Sequence, residues 1–431
     1  MGTEDLTLTT DAVRRTLDAV WRIESAQIIA TLMRIVGDID TAEELAQDAL
    51  VLALEQWPEV GIPEKPGAWL TATAKHRAID RVRRDVTLVR KQEELAHQLE
   101  MRHAERAAEF EAALEEDIGD DMLRLIFMAC HPVLSTEARV ALTLRLFGGL
   151  TTEEIARAFL TSKTTIAQRI VRAKRTLAAA RVPFETPQGA ERAARLSSVL
   201  EVIYLIFNEG YAATAGDDWI RPSLCEDALR LGRILAELAP HESEVYGLVA
   251  LMELQASRLR ARVSPSGEPI LLMDQNRAHW DRLLIGRGLA ALARAEALGG
   301  ALGPYALQAA IAACHARALT PEETDWPRIA ALYDALAQVA PSPVIELNRA
   351  VAVAMAYGPA AGMAIVEELV AEPVLQRYHL LPAVRGDLLV KLGRLDEAQI
   401  EFERAAALTS NARERALLLA RAHAAGRGDS G

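Results

Sequence analysis

Apolar residues return every three or four positions along almost the whole chain, and the alternating β-branched runs that would argue for strands are missing. That period belongs to helices with one buried face. In residues 68–85, Leu70, Ala74, Ala78 and Val82 recur at intervals of four. Further on, Ile166, Ile170, Ala173 and Leu177 recur at four, three and four. Breaks rich in Gly and Pro interrupt the period at 37–40, 58–67, 181–189, 264–269, 299–304, 319–327 and 340–343. The pattern predicts an all-α protein with two small helical domains, 10–85 and 119–182, joined by a charged linker over 86–118. One large helical domain follows over 190–425.

The polar positions between those apolar stripes carry the chemistry. Segment 150–177, LTTEEIARAFLTSKTTIAQRIVRAKRTL, predicts a helix-turn-helix. Thr151 and Glu154 fit a capping box, Ile155, Ala158 and Phe159 give a short helix its apolar side, and Ser162 is placed to cap a second helix. Opposite the apolar stripe of that second helix lie Thr165, Gln168, Arg169, Arg172 and Arg175. Gln and Arg make bidentate contacts to base edges in the major groove, and further cations meet phosphates. Spacing alone also fits an ordinary helical hairpin with a polar outer face. Leu160 stands where many such turns have Gly, and a non-Gly residue at positive φ costs roughly 1 kcal/mol. A different turn conformation is therefore expected there.

Two neighbouring segments carry opposite charge. GDIDTAEELAQDALVLALEQW (37–57) offers Asp38, Asp40, Glu43, Glu44 and Asp48, part of which is explained by a capping role for Thr41 with Glu44 and by the helix dipole. In AWLTATAKHRAIDRVRRD (68–85), Arg77, Arg81 and Arg84 form a row flanked by Lys75, His76 and Arg83, with Asp80 within reach of Arg77 or Arg84. Trp69 could stack on an unpaired base.

Overall charge sharpens the contrast. The 431 residues carry a formal net charge of −12, which excludes a general polyanion binder and makes any nucleic-acid contact local. Cys130, Cys225 and Cys314 stand far apart with no CxxC pair, so neither a disulfide framework nor a zinc site is expected. The N-terminus lacks a basic start followed by an apolar run, and no apolar run reaches the roughly 18–20 residues a membrane span needs. A reduced, cytoplasmic protein is expected, without a membrane contact.

Taken in order, the acidic segment, the Trp-led basic segment, the charged linker and the helix-turn-helix resemble the sigma-70 family, and within it the extracytoplasmic-function sigma factors. The likeness covers roughly residues 10–182 and is carried by DIDTAEELAQDALVLALEQW, PGAWLTATAKHRAIDRVRRD and LTTEEIARAFLTSKTTIAQRIVRAKRTL. The resemblance implies roles. Asp38, Glu43, Glu44 and Asp48 would dock on a coiled coil of core RNA polymerase in region 2. Trp69, Lys75, His76, Arg77, Arg81 and Arg84 would face the −10 element of promoter DNA as it melts. Thr165, Gln168, Arg169, Arg172 and Arg175 in region 4 would meet the −35 element.

The rest of the chain resembles the subgroup with a tetratricopeptide-like extension. Gly386, Leu389, Gly393, Ala398, Phe402 and Ala405 have the spacing of such a repeat, and Ala352, Met355 and Ala364 form a weaker echo. Residues 190–425 hold no HExxH, P-loop or Gly-rich dinucleotide loop, so no enzyme activity, metal or cofactor is assigned. Asn208, Glu209, Tyr211, Asp217, Asp218, Trp219 and Arg221 crowd an interval read as non-helical, a well-packed connecting loop in preference to a pocket or a contact with the sigma regions; Asp274 and Asn276 lack the rest of a calcium loop. His241, His279, His315 and His379 are scattered and read as surface or core residues. A protein or small-molecule regulator of this domain is expected. The rival reading is a tetratricopeptide helix-turn-helix regulator that binds operator DNA without acting as a sigma subunit.

Overall fold

A computed structural model describes residues 3–92, 118–299 and 302–427, so most of the 86–118 linker lies outside the described residues. The described chain forms eighteen α-helices and one pair of two-residue strands, and it divides into two compact units, 1–202 and 203–431. Among the described residues, each of the seven breaks overlaps a boundary between helices, with Pro58 inside the helix it was expected to end.

In the first unit, α1 (Thr3–Val36), α2 (Ile39–Val60) and α3 (Pro66–Gln92) pack together. Small residues permit the close approach. Ala42, Ala46, Ala49 and Ala53 line the buried face of α2, and Leu70, Ala74 and Ala78 that of α3. Trp57 fills the end of this core. Asp38 caps α2, accepting from the Thr41 amide at 2.8 Å and the Thr41 hydroxyl at 2.7 Å. The capping role expected of Thr41 thus falls to Asp38, because Ile39 is buried and draws the helix start back.

Then come α4 (Ile118–Ala129), α5 (Thr136–Phe147), α6 (Thr152–Ala158) and α7 (Lys163–Ala179). Their core gathers Leu125, Phe127, Leu142, Phe147 and Ile155 with the α7 stripe Ile166, Ile170, Ala173 and Leu177. Helices α4 and α5 also pack on α1, where Arg34 Nε lies 3.2 Å from the buried Asp121 carboxylate. Burial raises the Asp121 pKa against the pull of Arg34 and Arg124. Helix α8 (Gly189–Tyr211) begins within this unit: Arg195 donates to the Phe127 carbonyl at 3.0 Å, and Ser198 donates to that of Cys130 at 2.6 Å.

The second unit continues from α8 through helical hairpins: α9 (Pro222–Leu238), α10 (Ser243–Ala256), α11 (Arg282–Ala297), α12 (Pro304–Arg317), α13 (Trp326–Val339), α14 (Pro343–Tyr357), α15 (Pro359–Leu369), α16 (Leu380–Lys391), α17 (Leu395–Leu408) and α18 (Ala412–Gly426). Gly386 lets α16 approach α17: a Cβ there would meet the Phe402 ring at 2.8 Å, and Ala398 and Ala405 are buried beside it. In the α14–α15 hairpin a different register carries the contact. Gly362 sits against Ala350 and Ala354, whereas Met355 is half-buried and Ala364 exposed, so the small pair there lies off the positions expected from spacing.

The interval 208–232 is mostly helical, since α8 runs to Tyr211 and α9 starts at Pro222. The short loop between them is held from far along the chain. Strand β1 (Ala215–Gly216) pairs in parallel with β2 (Ser410–Asn411), and Asn411, wholly buried, donates to the carbonyls of Ala213 at 3.0 Å and Asp218 at 2.8 Å. Arg221 is ion-paired with Glu209 and also donates to the Ala215 carbonyl at 2.8 Å. Among the described residues, no helix is long and apolar enough to cross a membrane, and no group of three or more His, Cys, Asp or Glu is placed to hold a metal.

Candidate nucleic-acid interface

The helix-turn-helix is built from its caps inward. Thr151 and Glu154 form a reciprocal capping box at α6, with the Thr151 amide donating to the Glu154 carboxylate at 2.8 Å and the Glu154 amide to the Thr151 hydroxyl at 3.2 Å. Ser162 caps α7 by accepting from the Thr165 amide at 3.0 Å. Between them Leu160 adopts φ 47°, so the left-handed turn is kept and Leu bears the strain that Gly would avoid. The alternative turn expected from the absence of Gly does not form. Across this turn the Thr161 amide donates to the Ala156 carbonyl at 2.9 Å.

This geometry pins the apolar stripe of α7 inward and leaves Gln168, Arg172 and Arg175 exposed, with Thr165 and Arg169 half-buried at its edge. Among the described residues, neither Arg172 nor Arg175 enters an ion pair. Both guanidinium groups remain open to an external anion. Lys174 faces the other way. It is nearly buried, ion-paired with Glu43 and, at 2.7 Å, with Asp40 of α2, and Arg145 of α5 stands 3.5 Å from the same Glu43. Burial disfavours its charged form, but Glu43 and Asp40 outweigh that and hold the Lys174 pKa above its ordinary value. Sequence reasoning passed over Lys174; its one signal was a lysine beside the buried stripe.

The acidic and basic segments meet across α2 and α3. Arg77 lies 2.7 Å from Asp48, and Arg81 3.6 Å from Glu44. Arg84 donates to the backbone carbonyl of Asp80 at 3.2 Å rather than to its carboxylate. His76 is exposed and Lys75 half-buried. Trp69 is half-buried, its ring edge-on to Trp57 at 5.5 Å between centroids. Of the four residues assigned to polymerase, Asp38 and Glu44 are exposed, Asp48 half-buried, and Glu43 buried behind Lys174 and Arg145. For Asp38, burial is outweighed by the Thr41 hydrogen bonds, which hold its carboxyl below the usual range.

A helix-turn-helix whose second helix turns open cations outward, beside a separate acid–base helix pair, has the form of a DNA-binding scaffold. Comparison with known proteins narrows the class. Residues 22–86 match the family model described as sigma-70 region 2, and residues 124–177 that of sigma-70, region 4. Residues 195–296 match a family of unknown function, DUF6596. The chain is 45% identical over 393 residues, 91% of its length and 92% of the relative's, to an uncharacterized protein of Rhizobium meliloti (strain 1021). These two sigma-70 domains support a sigma-70 family factor with a sigma-factor-like role in promoter recognition by RNA polymerase.

Proposed function

We propose that the protein is a cytoplasmic sigma factor of the extracytoplasmic-function type whose tetratricopeptide-like C-terminal helical domain regulates its activity. The observation that carries this reading is the two-sidedness of α7, with apolar residues sealed inward and Gln168, Arg172 and Arg175 outward and open. In this reading α7 meets the −35 element in the major groove, with Thr165 and Arg169 at the edge of the contact.

Region 2 works by exchange of partners. In the free chain Asp48 and Glu44 neutralise Arg77 and Arg81. Exposed pairs of this kind contribute about 0–1 kcal/mol each, so a competing surface displaces them readily. When Asp38, Glu44 and Asp48 dock on core polymerase, Arg77 and Arg81 are released to join Lys75, His76 and Arg84 on the −10 backbone. Parting the duplex costs about 1.4 kcal/mol per base-pair step. Stacking of an unpaired base on Trp69, roughly 1–3 kcal/mol, offsets part of it. The free protein, acidic overall and with these cations tied up, binds DNA poorly.

The test is transcription in vitro by core polymerase stripped of its specificity subunit. Added protein is expected to yield transcripts starting at defined sites, with weaker yield as salt rises. An operator-binding regulator would bind DNA alone and leave core polymerase inactive, and that result would replace this reading with its rival. Removing residues 212–431, which spares α8 and its bonds to Phe127 and Cys130, is expected to change the response to regulation.

A further inference from the structure

The second unit has a cleft of about 180 Å3, partly open to solvent, lined from α10, α12 and α13 and the segments beside them. That is room for a small organic molecule rather than a single water. Its lining has an apolar part that includes Leu251, Leu254 and Ile311 and a polar part that includes Arg258, His315 and Tyr333.

The polar part has an excess of positive charge. Arg258 donates to the Tyr211 hydroxyl and lies 5.5 Å over the Trp280 ring, while its Nε is buried with no hydrogen-bond partner. Two further guanidinium groups surround it. Arg262 stacks on Tyr211 at 3.7 Å and donates to its carbonyl; Arg277 is held by the carbonyls of His315 and Ala318 at 3.0 Å and by the Thr324 hydroxyl at 2.8 Å. Among the described residues, no carboxylate forms an ion pair with any of the three. His315, 9% exposed, has a buried Nδ1 with no partner. Burial, with Arg258 and Arg277 adding to it, pushes the His315 pKa down to about 3. Burial pushes the Tyr333 phenol up to about 12, so it lines the cleft as a neutral group. Burying charge without a counter-charge is costly, and breaking the compensation of buried charge is costlier still. Each feature asks for the same missing component.

We propose that this cleft binds a small organic anion, its acidic group on Arg258 and His315 and its apolar body against Leu251, Leu254 and Ile311. The acidic group would compensate Arg258 and meet the cleft-facing edges of His315 and Tyr333. A carboxylate and a phosphate monoester share the required chemistry. Nothing in this site depends on polymerase, so its success or failure leaves the promoter-recognition reading untouched.

Isothermal titration of the full chain at constant ionic strength tests the proposal, with benzoate, succinate and phenyl phosphate as probes and benzamide as the uncharged control. Benzoate or succinate binding assigns a carboxylate site, and binding of phenyl phosphate alone assigns a phosphate monoester. Benzamide is expected to bind at least tenfold more weakly than the matching acid. Arg258→Met is expected to weaken the responding anion at least tenfold while raising the unliganded Tm. Ala312→Leu, which fills the cleft without altering charge, is expected to abolish binding and gives the same reading should Arg258→Met fail to fold. Heat no greater than chloride dilution for all three anions, or equal binding by both variants and the native chain, overturns the proposal.

Discussion

Two charge clusters, one in each unit, are built in opposite ways, although the second unit also holds matched pairs such as Arg221 with Glu209 and Arg233 with Glu253. Around Glu43 in the first, every inward charge has an opposite: Lys174 and Arg145 close on Glu43, and Arg34 and Arg124 on Asp121. Around Arg258 in the second, three guanidinium groups share a phenol, Tyr211, whose burial is outweighed by Arg258 and Arg262, which lower its pKa, together with backbone carbonyls and aromatic faces. Matched charge makes a joint between helices; unmatched charge makes a site waiting for something else.

Removing one charge from the matched cluster should have the largest effect. Lys174→Met leaves Glu43 buried with only Arg145 at 3.5 Å, and the first unit is expected to lose about 3 kcal/mol in urea unfolding. A midpoint that does not move would reduce this joint to a surface pair. Next comes a charge with no intrachain match. Arg172→Ala is expected to cost about 1–3 kcal/mol of −35 affinity, read by anisotropy of the polymerase complex at fixed salt, while stability changes by less than about 0.5 kcal/mol.

Acid sharpens the contrast in the second unit. His315 stays neutral in the fold down to about pH 3, but the unfolded chain takes up its proton below about 6.5. The unfolded state then binds more protons, so stability is complete above pH 6.5 and falls on acidification towards pH 3, by up to about 1.4 kcal/mol per unit. Arg258 and Arg277 face this ring with the Trp326 indole and Tyr333 beside it, and Glu322 and Glu323 act on it only through Arg277. His315→Gln is expected to flatten that slope. Should the slope survive the substitution, the acid sensitivity lies elsewhere. The smallest effect involves no charge at all. Leu160→Gly relieves a left-handed residue and should gain up to about 1 kcal/mol, less the entropy Gly brings to the unfolded chain; a loss in thermal unfolding would mean that Leu160, although exposed, packs more than it strains.

Much of this was legible locally. The capping box of Thr151 and Glu154, the Ser162 cap and the α7 stripe each depend on residues within one or two turns of one another, and spacing reveals them. What escaped depends on distant partners. Lys174 reads as one more cation on a polar face until α2, some 130 positions away, brings Glu43 against it. Helix α14 holds so many alanines that spacing alone misplaces the pair that touches Gly362. Arg258 and Arg262 stand one turn apart, a usable sign, but Arg277 and His315 join them only through the fold.

The clasp made by Asn411 carries a further consequence. Stacked helical hairpins ordinarily touch only their neighbours, so a piece can peel from either end while the remainder persists. Here the final hairpin is buttoned onto the opening loop nearly two hundred residues earlier. Fraying is thereby suppressed at both extremities together, and trimming the tail before Ser410 would unfasten the beginning of the array as well as its end.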